Sequence, residues 1–323
     1  MTQRLRLIVN PISGTRSGQA KQSLAAQLEA RLREAGFDVD TVFTTGSGDA
    51  TRLARQAIEH RFDGVIACGG DGTINETATA MIDAPIPMGI IPAGSGNGLA
   101  RHMAIPMEPL DAAGVIAARN ITDCDFGSVN SRPFFCTFGV GFDAAVSDRF
   151  AAASTRGKFT YIRSAVEEFA HYHTDHYIID IDGRHIERDA FLIAVCNASQ
   201  YGNNAYIAPT ASITDGVLDV IIINKASRLR TFLLGFDLMA GLIADNNIIE
   251  TFQVRDVRIQ RSAAGPAHLD GEPVSLGVDL DIHCNHSRLK LFTSPDKNPF
   301  KPLITPAESL ISDLSGTITH LFR

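Results

Sequence analysis

The chain carries little that would tie it to a membrane span, a disulfide scaffold or nucleic acid. No stretch reaches the ~20 apolar residues that a spanning helix needs. The nearest, Thr231 to Ile249, is broken by Asp237, Asp245 and two asparagines. Met1-Thr2-Gln3-Arg4 passes straight into a strand pattern with no signal-peptide h-region, so the expected location is cytoplasmic, peripheral at most at the inner face of the membrane. Five cysteines (Cys68, Cys124, Cys136, Cys196, Cys284) are scattered, odd in number and mostly inside apolar runs, which favours buried reduced thiols over bridges or metal ligands. A net charge of −7 gives no global attraction to nucleic acid or to anionic headgroups, so any membrane contact must be local. Internal repeats and low-complexity tracts are absent. So are a G-x-x-x-x-G-K-[ST] sequence and a G-x-G-x-x-G after the first strand, and the P-loop and dinucleotide readings lose support with them.

What is present has ordinary globular composition, 45% hydrophobic and 20% charged residues, over 323 positions, more than one core usually serves. Strand patterns at about 4–9, 38–43, 63–68 and 87–91 alternate with helical spacing (Ala20, Leu24, Leu28, Leu32; then Ala50, Leu53, Ala54, Ala57, Ile58). This βαβ rhythm predicts an α/β fold whose N-terminal, Rossmann-like part is a parallel sheet covered on both faces. From Asp123 the texture turns to alternating segments at 123–129, 133–140, 176–183, 188–197, 217–224, 250–260 and 278–284, which predicts a mostly antiparallel, β-rich C-terminal domain. The expected division is 1–127 with 288–297 returning to it as the parallel-sheet domain, 128–287 as the β-rich domain, and 298–323 as an amphipathic helical tail.

Three polar turns follow strands of the first half. Gly69-Gly70-Asp71-Gly72-Thr73 closes the apolar run Val65 to Cys68 and opens a helical stretch, leaving backbone N–H groups uncovered at a helix N-terminus, where phosphate is best held. Asp71 would repel phosphates unless a divalent cation lay between, so a nucleotide triphosphate with magnesium is suggested. The competing reading is a plain strand-to-helix turn. A glycine pair ahead of Asp-Gly-Thr exceeds what a strand ending needs, and an acid is costly near apolar walls. Gly94-Ser95-Gly96-Asn97 follows the strand ending at Pro92, and Asn10-Pro11-Ile12-Ser13-Gly14 follows the first. Polar turns at the carboxyl ends of successive strands build one ligand crevice in an open α/β sheet.

With these motifs the sequence resembles the diacylglycerol kinase catalytic-domain family, which includes sphingosine kinases and bacterial lipid kinases. The matching segments are Asn10-Pro11 with Gly14, Thr44 ahead of Gly48-Asp49-Ala50, Gly69 to Thr73 with Asn75-Glu76, Pro92 to Asn97, Asp215-Gly216-Val217-Leu218 and Leu269-Asp270-Gly271-Glu272. The pentad alone also occurs in NAD kinases and phosphofructokinases; the ordered set, from about Arg4 to Phe292, is far more specific. The resemblance implies ATP and Mg2+ as cofactors. It implies Asp270 as the general base, on what is otherwise equally an Asp-Gly hairpin turn with a free, exposed carboxylate. It also implies a second magnesium held by Asp215 and the backbone oxygens of Ser212 and Val217, where residue types alone read as a turn between strands. Ser95 in the second glycine turn looks closer to the sphingosine kinase form, and Arg101-His102 to the bacterial branch.

The expected acceptor is a lipid alcohol, a diacylglycerol or a sphingoid-like base. Lys158 to Tyr172 (with Phe159, Ile162, Val166 and Phe169 on one face) and Leu229 to Ile243 read either as ordinary core helices, the commoner case, or as walls of an acyl pocket. Arg149, Arg156, Lys158 and Arg163 read as a phosphate or membrane contact, or as a solvated basic face. Thr305-Pro306-Ala307-Glu308 opens a final apolar stripe from Ala307 to Phe322, which could dock on the protein itself, form a homodimer contact or lie in a lipid interface. Two other functions fit less of the sequence: an NAD-kinase-like enzyme for a soluble substrate, and a nucleotide- or lipid-binding protein without turnover.

Overall fold

A computed structural model of the protein describes residues 2–14, 18–152, 167–169, 172, 174–203, 205–227, 231 and 247–294. The amino-terminal part is the expected parallel sheet. Strands β1 (Gln3–Val9), β2 (Phe37–Phe43), β3 (Gly64–Gly69) and β4 (Met88–Pro92) lie in the order β4-β3-β1-β2, every pair parallel. Strands β3 and β4 are buried along their whole length, as runs without polar alternation must be when helices cover both faces. The covering helices are α1 (Gly18–Glu34), α2 (Asp49–Glu59), α3 (Asp71–Met81), a short α4 (Gly98–His102) and α5 (Pro109–Ala117); α2 packs with α3, and α1 with α5. The register aligns Val9 with Phe43 and Cys68, and Gly69 with Pro92. All four strands therefore deliver their carboxyl ends, and the polar turns after them, to one edge of the sheet.

The rest is antiparallel and β-rich: β5 (Ile121–Val129), β6 (Arg132–Phe134), β7 (Thr137–Gly141), then α6 (Phe142–Ala152), β8 (Asp175–Ile181), β9 (Arg184–Cys196), β10 (Leu218–Asn224), β11 (Ile249–Val254), β12 (Asp256–Arg261), β13 (Gly265–Leu269), β14 (Glu272–Leu276) and β15 (Asp279–Phe292). Three expectations are corrected here. The stretch 250–260 is two strands broken at Arg255, because β11 pairs with β10 whereas β12 pairs with β8 and β15. The strand expected at 278–284 runs on to Phe292 as β15, which pairs antiparallel with β12 and β5 and then parallel with β4 at Leu291 and Met88. The stretch 133–140 is likewise two strands, β6 pairing with β5 and β7 with β9 and β13, while the β13–β14 hairpin at 265–276 is closed by the Asp-Gly turn read at 270–271.

Two large cores flank this junction. One gathers Leu5, Leu7, Leu28, Ile66 and Ile91 and takes in Leu289, Leu291 and Phe292 from β15; the other gathers Phe134, Phe138, Tyr177, Val195, Ile259 and Leu280. The chain thus crosses back into the first core through β15. Apart from 167–169, Tyr172 and Thr231, the helical stretches read at Lys158 to Tyr172 and Leu229 to Ile243 lie outside the described residues, as do Arg156, Lys158, Arg163 and the tail 298–323. No helix among the described residues is long and apolar enough to cross a membrane.

Candidate active site

The three polar turns interlock backbone to backbone. A Cβ on Gly94 would lie 2.5 Å from the Gly70 Cα, and one on Gly14, at φ +67°, 2.4 Å from the Ala93 carbonyl oxygen. Only glycine lets the turns approach this closely. Ala93 N donates to the Gly69 carbonyl (2.7 Å), Asn10 N to the Cys68 carbonyl (2.9 Å), and Asn10 Nδ2 to Thr73 Oγ1 (2.9 Å). Thr44, buried at the end of β2, donates its N–H to the Val9 carbonyl. Helix α3 (N-cap Gly70) carries no side-chain cap, since glycine has no side chain to accept from its first amides. Among the expected ligands of this cradle, Pro11, Gly14 and Ser95 lie on its turns, with Ser95 exposed, and Asn75 lies on α3 just past its first turn.

Two of the expected ligand contacts also brace the turns from within. Asn97, buried and in the left-handed conformation, accepts from Gly94 N (3.1 Å) and donates to the Gly94 carbonyl (3.0 Å), closing its own turn. Glu76 accepts from Gly48 N (2.7 Å) and Ala50 N (3.1 Å), holding the start of α2 against α3. A side chain missed in the sequence is Lys21, 1% exposed, which donates to Ser13 Oγ (2.9 Å) and the Ala93 carbonyl (3.4 Å) beneath two of the turns. Its signal was present: Lys21 falls on the buried stripe of Leu24, Leu28 and Leu32, where a lysine is out of place.

Asp71 spans the first and second turns. Its Oδ2 accepts from Asn97 N (2.8 Å) and its Oδ1 from Gly98 N (2.8 Å). Burial holds its carboxyl above the ordinary range, against the pull of those amides and of the nearby Arg101, whose own Nε donates to the Gly96 carbonyl (2.9 Å). Glu272 Oε1 hangs over the first turn of α3, 2.7 Å from where a Gly72 Cβ would sit. Its pKa is raised by desolvation and by the charges of Glu76 and Asp71.

Asp270 is not the free carboxylate expected. With Gly271 it forms the two-residue turn of the β13–β14 hairpin, both at positive φ (+53° and +82°), so the hairpin and the candidate base are the same feature. Its Oδ1 accepts from Cys136 N (2.6 Å) and Thr137 N (2.9 Å), and its Oδ2 from Phe135 N (2.8 Å). Burial pushes its pKa up to about 6, the three amides pull it down, and the charge of Asp71 adds to the rise. The hairpin's open end is pinned by Arg261, which donates to the carbonyls of Gly277, Pro266, Gly265 and Leu276.

Near the N-terminus of α3, Asp270 thus feels the charge of Asp71, and Glu272 those of Glu76 and Asp71. Asp215 belongs elsewhere. It lies exposed on the turn before β10, its Oδ1 accepting from Val217 N (3.2 Å), and its charge is felt by Asp219 and Cys284. Ser212 Oγ accepts from Thr214 N (3.3 Å) in the same turn. Asp125, unnoticed in the sequence, braces that turn: Oδ2 accepts from Gly216 N (2.7 Å), and Oδ1 from Ser287 N (2.7 Å) and faces His286 Nδ1 (2.8 Å). No group of three or more His, Cys, Asp or Glu side chains among the described residues is arranged to cage a metal.

Comparison with known proteins places this geometry in a family. The profile for the diacylglycerol kinase catalytic domain matches residues 4–129, and that for the YegS C-terminal NAD kinase beta sandwich-like domain matches 136–292. A protein named "Diacylglycerol kinase" from Bacillus subtilis (strain 168) is 32% identical over 276 residues, 84% of this chain and 90% of that relative. A "Probable lipid kinase YegS-like" from Chromohalobacter salexigens is 30% identical over 249 residues, 75% of this chain and 80% of the relative. A crystal structure of a diacylglycerol kinase from Bacillus anthracis str. Sterne shares the fold, with a TM-score of 0.73 at 21% identity, covering 91% of this chain and 97% of that one. The chain belongs to the diacylglycerol kinase family of lipid kinases.

Proposed function

We propose that the chain transfers the γ-phosphate of ATP to the hydroxyl of a lipid alcohol, a diacylglycerol or sphingoid-like base. The observation that carries this reading is the β13–β14 turn lying over the start of α3: Glu272 Oε1 comes within 2.7 Å of where a Gly72 Cβ would sit, and Asp270, two residues before it, feels the charge of Asp71. Carboxylates gathered in one place, their protonation favoured chiefly by burial, with like charge adding to the rise at Asp270 and Glu272, are a site prepared for a cation. Asp71 and Glu272 would hold magnesium together with phosphate oxygens, since this ion keeps several waters and needs no all-protein cage. Magnesium, when bound, supplies neutralisation of the phosphate charge. The Asp215 turn, with the backbone oxygens of Ser212 and Val217, is proposed as a second magnesium position whose role is structural.

The chain's own groups account for the rest. Amides of the glycine turns and of the α3 N-terminus bind the phosphates, with Lys21 keeping the turns in register. A carboxylate of Asp270 accepts the proton as the lipid oxygen bonds to the γ-phosphorus and the bond to the bridging oxygen breaks, releasing ADP. The relatives' names support a lipid acceptor. None of the five cysteines forms a disulfide, which is consistent with the proposed cytoplasmic location, where ATP and the inner membrane face meet. The test is γ-labelled ATP with mixed micelles presenting diacylglycerol, sphingosine or monoacylglycerol, and NAD as the soluble control. Magnesium-dependent label in a lipid product is expected. Label on NAD, or nucleotide binding without transfer to any lipid, contradicts the proposal.

A further inference from the structure

Next to the candidate base lies a buried acid–imidazole pair that the reaction as described does not use. His268, 1% exposed on β13, faces Asp143 Oδ2 through Nε2 at 3.1 Å; Asp143, 5% exposed, is the second residue of α6. The two meet over Gly139 of β7, the register partner of His268, where a Cβ would lie 2.2 Å from Asp143 Oδ2 and 2.3 Å from His268 Nε2. The contact exists because that position carries no side chain.

The surrounding donors fix the tautomer. Asp143 accepts from Ala144 N at Oδ1 (2.8 Å) and from the Tyr201 hydroxyl at Oδ2 (2.9 Å), so it is an acceptor on every side, and His268 Nε2 must carry the ring proton toward it. That leaves Nδ1 as a lone pair, and it faces the Gly271 N–H at 3.3 Å. The chain of contacts therefore runs from Tyr201 and the start of α6, through Asp143 and His268, to the amide immediately after Asp270. The Asp270 carboxylate and its own N–H are held by β7 and the residues before it. The Gly271 N–H is the remaining donor of the turn, whose two residues both sit at positive φ, as an Asp-Gly hairpin turn does.

We propose that His268, oriented by Asp143 and Tyr201, is a positioning residue for phosphoryl transfer: its Nδ1 holds the Gly271 amide and so fixes where the Asp270 carboxylate meets the acceptor hydroxyl. This rests on the reading of Asp270 as the base. His268 touches neither substrate nor the transferring group. Its effect falls on kcat, because a displacement of about 1 Å at the reacting atoms costs about 100-fold in rate.

Two substitutions separate this role from simple core packing. Asparagine places its amide oxygen where Nδ1 lies and can still accept from Gly271; glutamine reaches toward Asp143 instead. His268→Asn is expected to keep kcat within about 3-fold of wild type, and His268→Gln to lose about 10- to 100-fold with KM for ATP unchanged. Equal kcat in the two variants overturns the proposal. A second arm does not need turnover: amide hydrogen exchange at Gly271 should accelerate in His268→Gln and stay slow in His268→Asn, and no acceleration in His268→Gln overturns the proposal. If wild type phosphorylates no lipid, the functional reading fails and the exchange arm still decides. Should a variant not fold, 15N spectra of the wild-type imidazole give the answer alone, Nε2–H with a bare Nδ1 supporting it and Nδ1–H refuting it.

Discussion

Replacing Asp270 by asparagine separates chemistry from stability more sharply than any other change. The rise of the carboxyl from 3.8 to about 6 corresponds to about 3 kcal/mol held against the ionised form in the folded state. Because the folded value is the higher one, this contribution is present below about pH 4 and lost as pH rises through about 6. Asparagine removes that charge. It also turns an Nδ2 donor toward one of the amides of Phe135, Cys136 and Thr137, leaving that N–H unsatisfied at about 1–3 kcal/mol. The two terms oppose and nearly cancel, so at pH 7 the melting temperature should shift by no more than a few degrees, and the stability change between pH 4 and 6 should flatten. The rate should not be spared. Loss of a general base lowers kcat by about 10²–10⁴-fold, while ATP affinity should hold, since the phosphate cradle is built from other residues. In wild type, log kcat should climb with pH and level off near 6, a limb that belongs jointly to Asp270, Asp71 and Glu272. Steady-state assays with the true lipid, paired with urea melts, read both quantities. A variant that keeps more than a tenth of the wild-type rate would refute the assignment of Asp270.

Gly94→Ala should raise KM for ATP at least 10-fold and cost about 1–3 kcal/mol, because the new methyl meets the Gly70 backbone rather than a movable side chain; an unchanged KM in initial-rate assays would contradict the interlocked cradle. Arg261→Met removes the donor to four carbonyls at the open end of the β13–β14 hairpin and should cost at least about 3 kcal/mol in urea unfolding, with kcat falling alongside; full stability would mean that water replaces the guanidinium without loss. Asp215→Asn should abolish most of the stabilisation that added magnesium gives in thermal melts, about 2.7 kcal/mol at 100 times the dissociation constant. An identical magnesium response in wild type and variant would place the structural ion elsewhere.

The parallel sheet and its glycine turns were legible because each is a contiguous string: an apolar run, then glycines with one acid, then helical spacing. Even the return of the chain through β15 left a trace, since Leu289 and Leu291 keep the alternation after the bend at Asn285. What escaped is chemistry made by distant single residues. Asp143 and His268 are 125 positions apart, and Asp143 and Tyr201 58 apart; each alone reads as an ordinary strand or helix residue until β7 and β13 pair. Asp125 gains its meaning only when β15 lays Ser287 and His286 beside it. Sequence offers Asn97 and Glu76 as ligand contacts, and only the packed structure adds that each also braces the turns around it. A polar side chain next to a glycine turn has nearby orphan amides to satisfy before it can serve a ligand.

The most direct trial of the central claim is a crystal structure with magnesium and a non-hydrolysable ATP analogue. The account predicts the triphosphate lying along the turns at Asn10–Gly14, Gly69–Thr73 and Gly94–Asn97, its terminal phosphate between the start of α3 and Asp270. Density for the nucleotide at another edge of the sheet, or a terminal phosphate beyond reach of an alcohol bound at Asp270, would contradict it.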